Sequence, residues 1–325
     1  MTFAPCALPL RLHSFESTTP GARLIVLGGV HGDETCGTVG IERVLVDIDS
    51  GALSLLRGAL TLVPVANPLA RARQRREGER NLNRLFQPTE APADYEARIT
   101  NLLCPLLERH DVLLDLHSFQ SAGDAFAMIG PRDNHGALEP FVRAFEEGQL
   151  ALHVGTSRVV EGWLDIYAAG LAQRASLPRG APVDDAALAF GWGTNEYMRS
   201  QGGYGVTLEC GQHRDPAAPE VAYRAILSAL RLLGMIAPEA STAAELPALP
   251  VLLRLVSVTD RTREGDQFVR EWATFDAVAQ GEAIGVRDDG TLLHAERAGF
   301  IVFPNAEALP GTEWFYFAVA SDRVL

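Results

Sequence analysis

Three stretches of the chain carry residue types that could hold a metal ion or act beside one. In residues 24–37, LIVLGGVHGDETCG, His31 and Glu34 stand three residues apart, directly after an apolar run and a glycine pair. An imidazole and a carboxylate so placed can converge on one cation. Zinc takes such donors, and its catalytic sites use three protein ligands and a water. Alone, H-x-x-E is also the sequence of many surface turns. A second histidine, His117, follows the apolar run 111–116 in the same way; it is either a third ligand or a structural histidine. Asp115 falls two residues earlier, on the same strand face, where it either orients an imidazole or faces solvent. Glu209 closes the third stretch, GGYGVTLE. An acid at the end of a buried run is costly unless it is paired or used.

Residues 71–84, RARQRREGERNLNR, hold six of the chain's 28 Lys and Arg. This concentration fits a solvated basic loop or, more sharply, a loop that recognises anions, since the planar guanidinium grips a carboxylate with two parallel hydrogen bonds. Asn83 and Arg84 end it, just before an apolar Leu85-Phe86.

These residues need elements to position them. Residues 22–28 and 59–66 read as buried strands, the second closed by Asn67-Pro68. Between them, apolar residues at 39, 41, 44, 45 and 48 have helical spacing. Strand, helix, strand in this order predicts a parallel sheet with right-handed crossovers, and such sheets place their sites at the carboxyl ends of strands. An opening strand and turn in 1–20, a helix over 94–109 with Pro105 as a kink, and a strand over 111–116 are expected. So are strands at 125–129 and 151–160, a strand over 202–209 and an amphipathic helix over 219–236. Residues 162–198, rich in Gly, Trp and Tyr, have the composition of pocket walls. Residues 238–250, PEASTAAELPALP, read as a linker. Beyond it, short alternating strands with turns at 264–266, 288–290 and 309–311 predict an all-β C-terminal domain. The division expected is therefore 1–240 and 241–325.

The formal net charge of −13 argues against a nucleic-acid partner, which wants a basic face, but leaves room for an anionic small substrate in a locally basic pocket. No apolar run approaches the ~20 residues of a spanning helix, and the N-terminal stretch lacks the pattern of a signal peptide. The expected location is cytoplasmic, with no membrane partner. Cys6, Cys36, Cys104 and Cys210 form no C-x-x-C pair and read as reduced packing residues. His13, His110, His135, His153, His213 and His294 lack a matching context and are assigned structural or surface roles.

Taken in order, GGVHGDE, the NP…R…NLNRLF block, DLHSF and VTLECG resemble the succinylglutamate desuccinylase/aspartoacylase family, a branch of the zinc carboxypeptidase-like fold. The resemblance covers roughly residues 20–240. It implies an α/β fold with a mixed, mostly parallel sheet flanked by helices, a smaller C-terminal β domain covering or bordering the active site, and one zinc per chain. Carried over by match, His31, Glu34 and His117 hold the metal, and Glu209 is the general base and later the acid. Arg76 polarises the scissile carbonyl, Asn83 and Arg84 bind a substrate carboxylate, Arg199 faces the acyl group, and Tyr316 is the C-terminal-domain tyrosine. Where the family often has Asp, this chain has Asn81, which bears on substrate choice.

The implied activity is hydrolysis of an N-acyl amino acid to a carboxylate and a free amino acid. Three arginines around one pocket imply a substrate with one carboxylate at least, and room for two. The same zinc, Glu and Asn-Arg set would serve the alternative, a zinc carboxypeptidase acting on short peptides. A non-catalytic carboxylate-binding protein would be expected to lose the base or a ligand. The sequence leaves the acyl group, the amino acid and the oligomeric state open; a homo-oligomer is compatible with it.

Overall fold

A computed structural model describes residues 8–131, 142–176, 183–238 and 249–325. The first half of the chain alternates strand and helix: β1 (His13–Glu16), β2 (Arg23–Leu27), α1 (Cys36–Asp49), β3 (Ala59–Val63), α2 (Pro68–Arg73), α3 (Tyr95–Leu107), β4 (Val112–Phe119), β5 (Phe126–Met128), α4 (Ala144–His153) and β6 (Arg158–Glu161). Then follow α5 (Trp163–Ala175), α6 (Asp185–Ala189), α7 (Thr194–Ser200), β7 (Tyr204–Gln212) and α8 (Ala218–Leu232). Among the described C-terminal residues the regular elements are strands: β8 (Val251–Asp260), β9 (Gln267–Phe268), β10 (Ala277–Val278), β11 (Ala283–Val286), β12 (Leu292–His294), β13 (Gly299–Val302) and β14 (Glu313–Ala320).

The main sheet has the order β1-β3-β2-β4-β7-β5-β6-β8-β14-β13-β10. Its centre, β3-β2-β4-β7, is parallel, as the strand–helix–strand order requires. Helices cover both faces. On one, α1 and α8 enclose a core with Leu24, Val26, Leu114 and Ile226; on the other, α3 and α7 enclose Ile25, Leu27, Leu103 and Met198. This explains the uninterrupted apolar character of β2 and β4, since a parallel sheet buried on both sides has no solvent face. Each such fully buried Leu or Ile contributes roughly 1.5–3 kcal/mol. Cys36, Cys104 and Cys210 are buried free thiols; Cys6, like His135, lies outside the described residues. No helix among the described residues is long and apolar enough to cross a membrane.

The C-terminal strands continue this sheet: β8 pairs parallel with β6, and β14 lies antiparallel to β8. A separate sheet, β12-β11-β9, packs with β14 around Trp314, which stacks on Phe268 at 4.5 Å.

Two sequence expectations change, one is given its physical cause and one lies outside the described residues. Residues 151–153 end helix α4 instead of starting a strand, and only Arg158–Glu161 is β. The acidic Glu146 and Glu147 in its first turn favour the helix dipole. Asn67-Pro68 closes the strand by capping α2, the Asn67 side chain accepting from the Ala70 amide. Strand β4 runs past His117 to Phe119, because β7 offers partners as far as Gln212 across a register shift after His117. Most of the expected linker, 239–248, lies outside the described residues.

Candidate metal centre and substrate pocket

The parallel register sets the site. β4 lies between β2 and β7, and His117 is the direct partner of Glu209. Their side chains therefore leave one face of the sheet side by side. On the other flank, β2 ends at Leu27, and Gly28-Gly29 turn the chain, Gly29 with φ +58°, a conformation costly for other residues. His31-Gly32-Asp33-Glu34 then falls beside the end of β4. The turn is pressed against α2: a Cβ on Gly32 would lie 2.0 Å from the carbonyl carbon of Ala70. Arg71 locks it, donating to the Gly32 carbonyl at 3.0 Å and to the Thr38 hydroxyl at 2.8 Å.

The ligating atoms of His31, Glu34 and His117 all lie within 4.8 Å of one another, and all three side chains are buried. Both imidazoles turn Nδ1 toward the Glu34 carboxylate, at 2.7 Å for His31 and 2.9 Å for His117. Each is held from behind. His31 Nε2 lies 3.1 Å from Asn81 Oδ1, and His117 Nε2 lies 3.0 Å from Asp115 Oδ2. Asp115 is wholly buried, so of its two readings the structure gives the partner of His117. Imidazoles backed by an amide or carboxylate oxygen are arranged as metal ligands are. Two nitrogens and a carboxylate suit a divalent cation, and this donor set fits one.

Burial and neighbouring charges shift each group of the cluster. Burial and the adjacent Arg76 push His31 down to about 4, leaving a neutral ring. Burial opposes charge on His117, but Asp115 and Glu34 outweigh it and hold His117 well above its ordinary value. Burial likewise opposes charge on Glu34, yet both histidines keep it well below the usual carboxylate range. Beside the cluster, burial pushes Glu209 up to about 8. Its Oε2 is buried and has no hydrogen-bond partner among the described residues, a costly state for a carboxylate with no task.

A cavity of about 750 Å³ opens over the cluster. Of the arginine run, Arg76 and Arg84 line it, whereas Arg71 locks the turn and Arg80 binds Asp94 at 3.0 Å. Arg76 donates to Glu34 Oε1 at 3.1 Å. Arg84 sits with its guanidinium 5.5 Å from the Trp163 ring. It donates to the Asn83 carbonyl at 2.8 Å and forms no ion pair with any described carboxylate. Burial and nearby Arg76 lower its pKa. Asn83 accepts from the Thr194 amide at 2.9 Å. Tyr316, on β14, lines the cavity against Trp163, 5.3 Å away. Arg199 also lines it, but donates to Glu147 at 2.8 Å, Glu196 at 3.1 Å and the Gly205 carbonyl at 3.3 Å.

Residues 20–157 match the profile of the Succinylglutamate desuccinylase/Aspartoacylase catalytic domain. This match covers less than half of the chain, and the likeness to succinylglutamate desuccinylases extends over most of it. It is 29% identical to a succinylglutamate desuccinylase of Burkholderia lata over 301 residues, 90% of this chain and 78% of that protein. It is 36% identical to an N-acyl-aromatic-L-amino acid amidohydrolase (carboxylate-forming) of Rattus norvegicus over 126 residues, 35% of this chain and 36% of that protein. Its fold matches the crystal structure of a succinylglutamate desuccinylase/aspartoacylase from Rhodobacter sphaeroides with a TM-score of 0.71 at 16% identity, covering 97% of this chain and 90% of that one.

Sequence reasoning missed several residues of the pocket. Trp163, Tyr167 and Arg174 on α5 line the cavity, although only the composition of 162–198 pointed there. His213, assigned a structural or surface role, lines it too, with its Nδ1 2.8 Å from the Ser118 hydroxyl. The one available signal was its position four residues after Glu209. Glu196 could have been found from its i,i+3 spacing to Arg199 on a helix.

Proposed function

We propose that the chain is a zinc-dependent amide hydrolase that removes the acyl group from an N-acyl amino acid. The observation that carries this reading is the convergence of His31, Glu34 and His117 beside a buried, unpartnered Glu209 carboxylate oxygen. In this reading the three side chains are the metal ligands. Bound there, zinc would supply a Lewis acid and a bound water of pKa near about 7, and as a dication would draw the Glu209 carboxyl down from its raised value.

Glu209 takes a proton from the attacking water as oxygen bonds to the acyl carbon. It then gives the proton to the departing nitrogen as the C–N bond breaks, leaving a carboxylate and an amine. A carboxyl raised by burial suits both halves of this exchange. Arg76, alongside Glu34, faces the charge that develops on the carbonyl oxygen. Asn83 and Arg84 receive the substrate carboxylate, and Tyr316 borders the same subsite. Arg199 acts through the pocket wall, holding Glu196 and Glu147. Residues 1–240 carry the chemistry, and 241–325 border the cavity through Phe303, Asn305, Glu313 and Tyr316, which supports a short substrate over a long peptide. The buried free thiols are in keeping with a cytoplasmic location.

The test combines metal analysis of purified protein with amine release from a panel of N-acyl amino acids, with and without chelator. About one zinc per chain and chelator-sensitive release are expected. Glu209→Gln should keep the metal and lose roughly 10²–10⁴-fold in kcat. Unchanged turnover in that variant would remove Glu209 from the role of base. Absence of zinc after incubation with excess metal would overturn the whole reading.

A further inference from the structure

Four arginines line the cavity, and three are already matched by carboxylates of this chain. Arg199 is buried against Glu147 and Glu196. Arg174 grips Asp260 through two hydrogen bonds of 2.8 and 2.7 Å and also reaches Glu313 at 3.0 Å. Arg76 is engaged by Glu34. Arg84 alone among them forms no ion pair with a described carboxylate. A second carboxylate brought toward Arg174 or Arg199 would meet Glu313 or Glu196 already in place, and like charges so juxtaposed are strongly unfavourable. Aromatic and apolar side chains fill the same walls. Trp163 and Tyr316 lie 5.3 Å apart, Phe303 stands 6.3 Å from Tyr316, and Tyr167, Leu171 and Phe190 face the cavity nearby.

From this charge inventory we propose that the pocket selects N-acyl amino acids bearing a single carboxylate and a bulky uncharged group, and that Glu196 and Glu313 reject a second carboxylate. Arg84 takes the one carboxylate. The aromatic wall beside it takes an aromatic or branched apolar group, which gains from burial and ring contacts. The acidic residues act as specificity determinants by repulsion, a means of discrimination that does not require tighter binding of the preferred substrate. This reading rests on the deacylase assignment for the word substrate, but the charge preference is a property of the cavity itself.

Two measurements separate the two claims. In the first, the zinc-loaded full chain is assayed on N-acetyl-L-phenylalanine and N-acetyl-L-leucine against N-acetyl-L-aspartate and N-succinyl-L-glutamate. The monocarboxylates should lead in kcat/KM by about 100-fold, the scale of a like-charge penalty in a desolvated pocket. Glu313→Gln, at a partly exposed position, should narrow that ratio about tenfold, mainly by lowering KM for the dicarboxylates. In the second, binding of the inert ligands 3-phenylpropanoate and glutarate is measured by calorimetry. The aromatic monocarboxylate should bind tighter. Should that preference appear with no amide hydrolysed, the pocket proposal stands and the deacylase assignment falls. Tighter glutarate binding, faster dicarboxylate turnover, or a ratio unmoved by Glu313→Gln would each overturn the proposal.

Discussion

The two candidate metal-binding histidines are held from behind by different charges, and this asymmetry makes a quantitative prediction. Asp115 is wholly buried, with Oδ2 3.0 Å from His117 Nε2; Asn81, neutral, does the same for His31 at 3.1 Å. Asp115→Asn keeps the shape and an oxygen acceptor for Thr194, which donates to Asp115 Oδ2, but removes a full negative charge from behind the ligand. Loss of such a partner costs 10- to 100-fold in metal affinity, or about 1.4–2.8 kcal/mol. Asn81→Asp does the reverse on the other ring. Its Oδ1 also accepts from the Asn83 amide at 2.9 Å, a bond the carboxylate retains, so the variant should bind zinc up to about tenfold more tightly. The two residues flank one cluster, so their effects need not add. Competition titration against a chromophoric chelator near neutral pH reads both. Affinity in Asp115→Asn within about twofold of the parent would refute the argument that this carboxylate tunes a ligand. Weaker binding in Asn81→Asp with intact folding would refute it from the other side.

Other expected outcomes follow from particular contacts. Gly32→Ala places a Cβ 2.0 Å from the Ala70 carbonyl carbon, where backbone must shift; metal content measured on the folded fraction should fall sharply, and full retention would show that the turn can move. Arg84→Ala should raise KM by about 30- to 100-fold with a smaller change in kcat, as loss of one charge-assisted carboxylate contact requires; an unchanged KM across the substrate panel would place the carboxylate elsewhere. Asp266 is buried and accepts from the Thr262 and Asp288 amides and from Arg287 at 2.7 Å. Burial opposes its charge, but these donors hold its carboxyl below the usual range. Its contribution is therefore complete above the unfolded value near 3.8 and is lost as pH falls below it. Thermal melts should show Asp266→Asn destabilised by about 2 kcal/mol near neutrality and converging on the parent in acid; parallel curves across that range would refute the assignment.

Much of the candidate site was readable because its residues follow glycine turns and apolar runs. His31, Glu34, His117 and Glu209 each mark the end region of a buried strand, and strand–helix alternation forces parallel neighbours whose ends share one edge. The apolar runs similarly located β2, β3, β4 and β7, since strands buried on both faces leave a local signature. The α4 region was misread because short apolar segments do not separate helix from strand by periodicity.

The sequence by itself determined which chemical groups are present and that four of them fall near the ends of buried strands. It could not say which charges meet. Six arginines in one run look alike, yet only Arg76 and Arg84 reach the cavity. Arg199 is neutralised by Glu147, 52 residues distant, and Arg174 by Asp260 and Glu313, 86 and 139 residues distant. The role of Asp115 was likewise undecided until β4 proved buried along its whole length. Local pattern encodes burial and backbone conformation because both act within a few residues. Ion pairing depends on distance in space, and for these pairs only the packing of α5, α7 and β14 around the sheet brings the partners within reach.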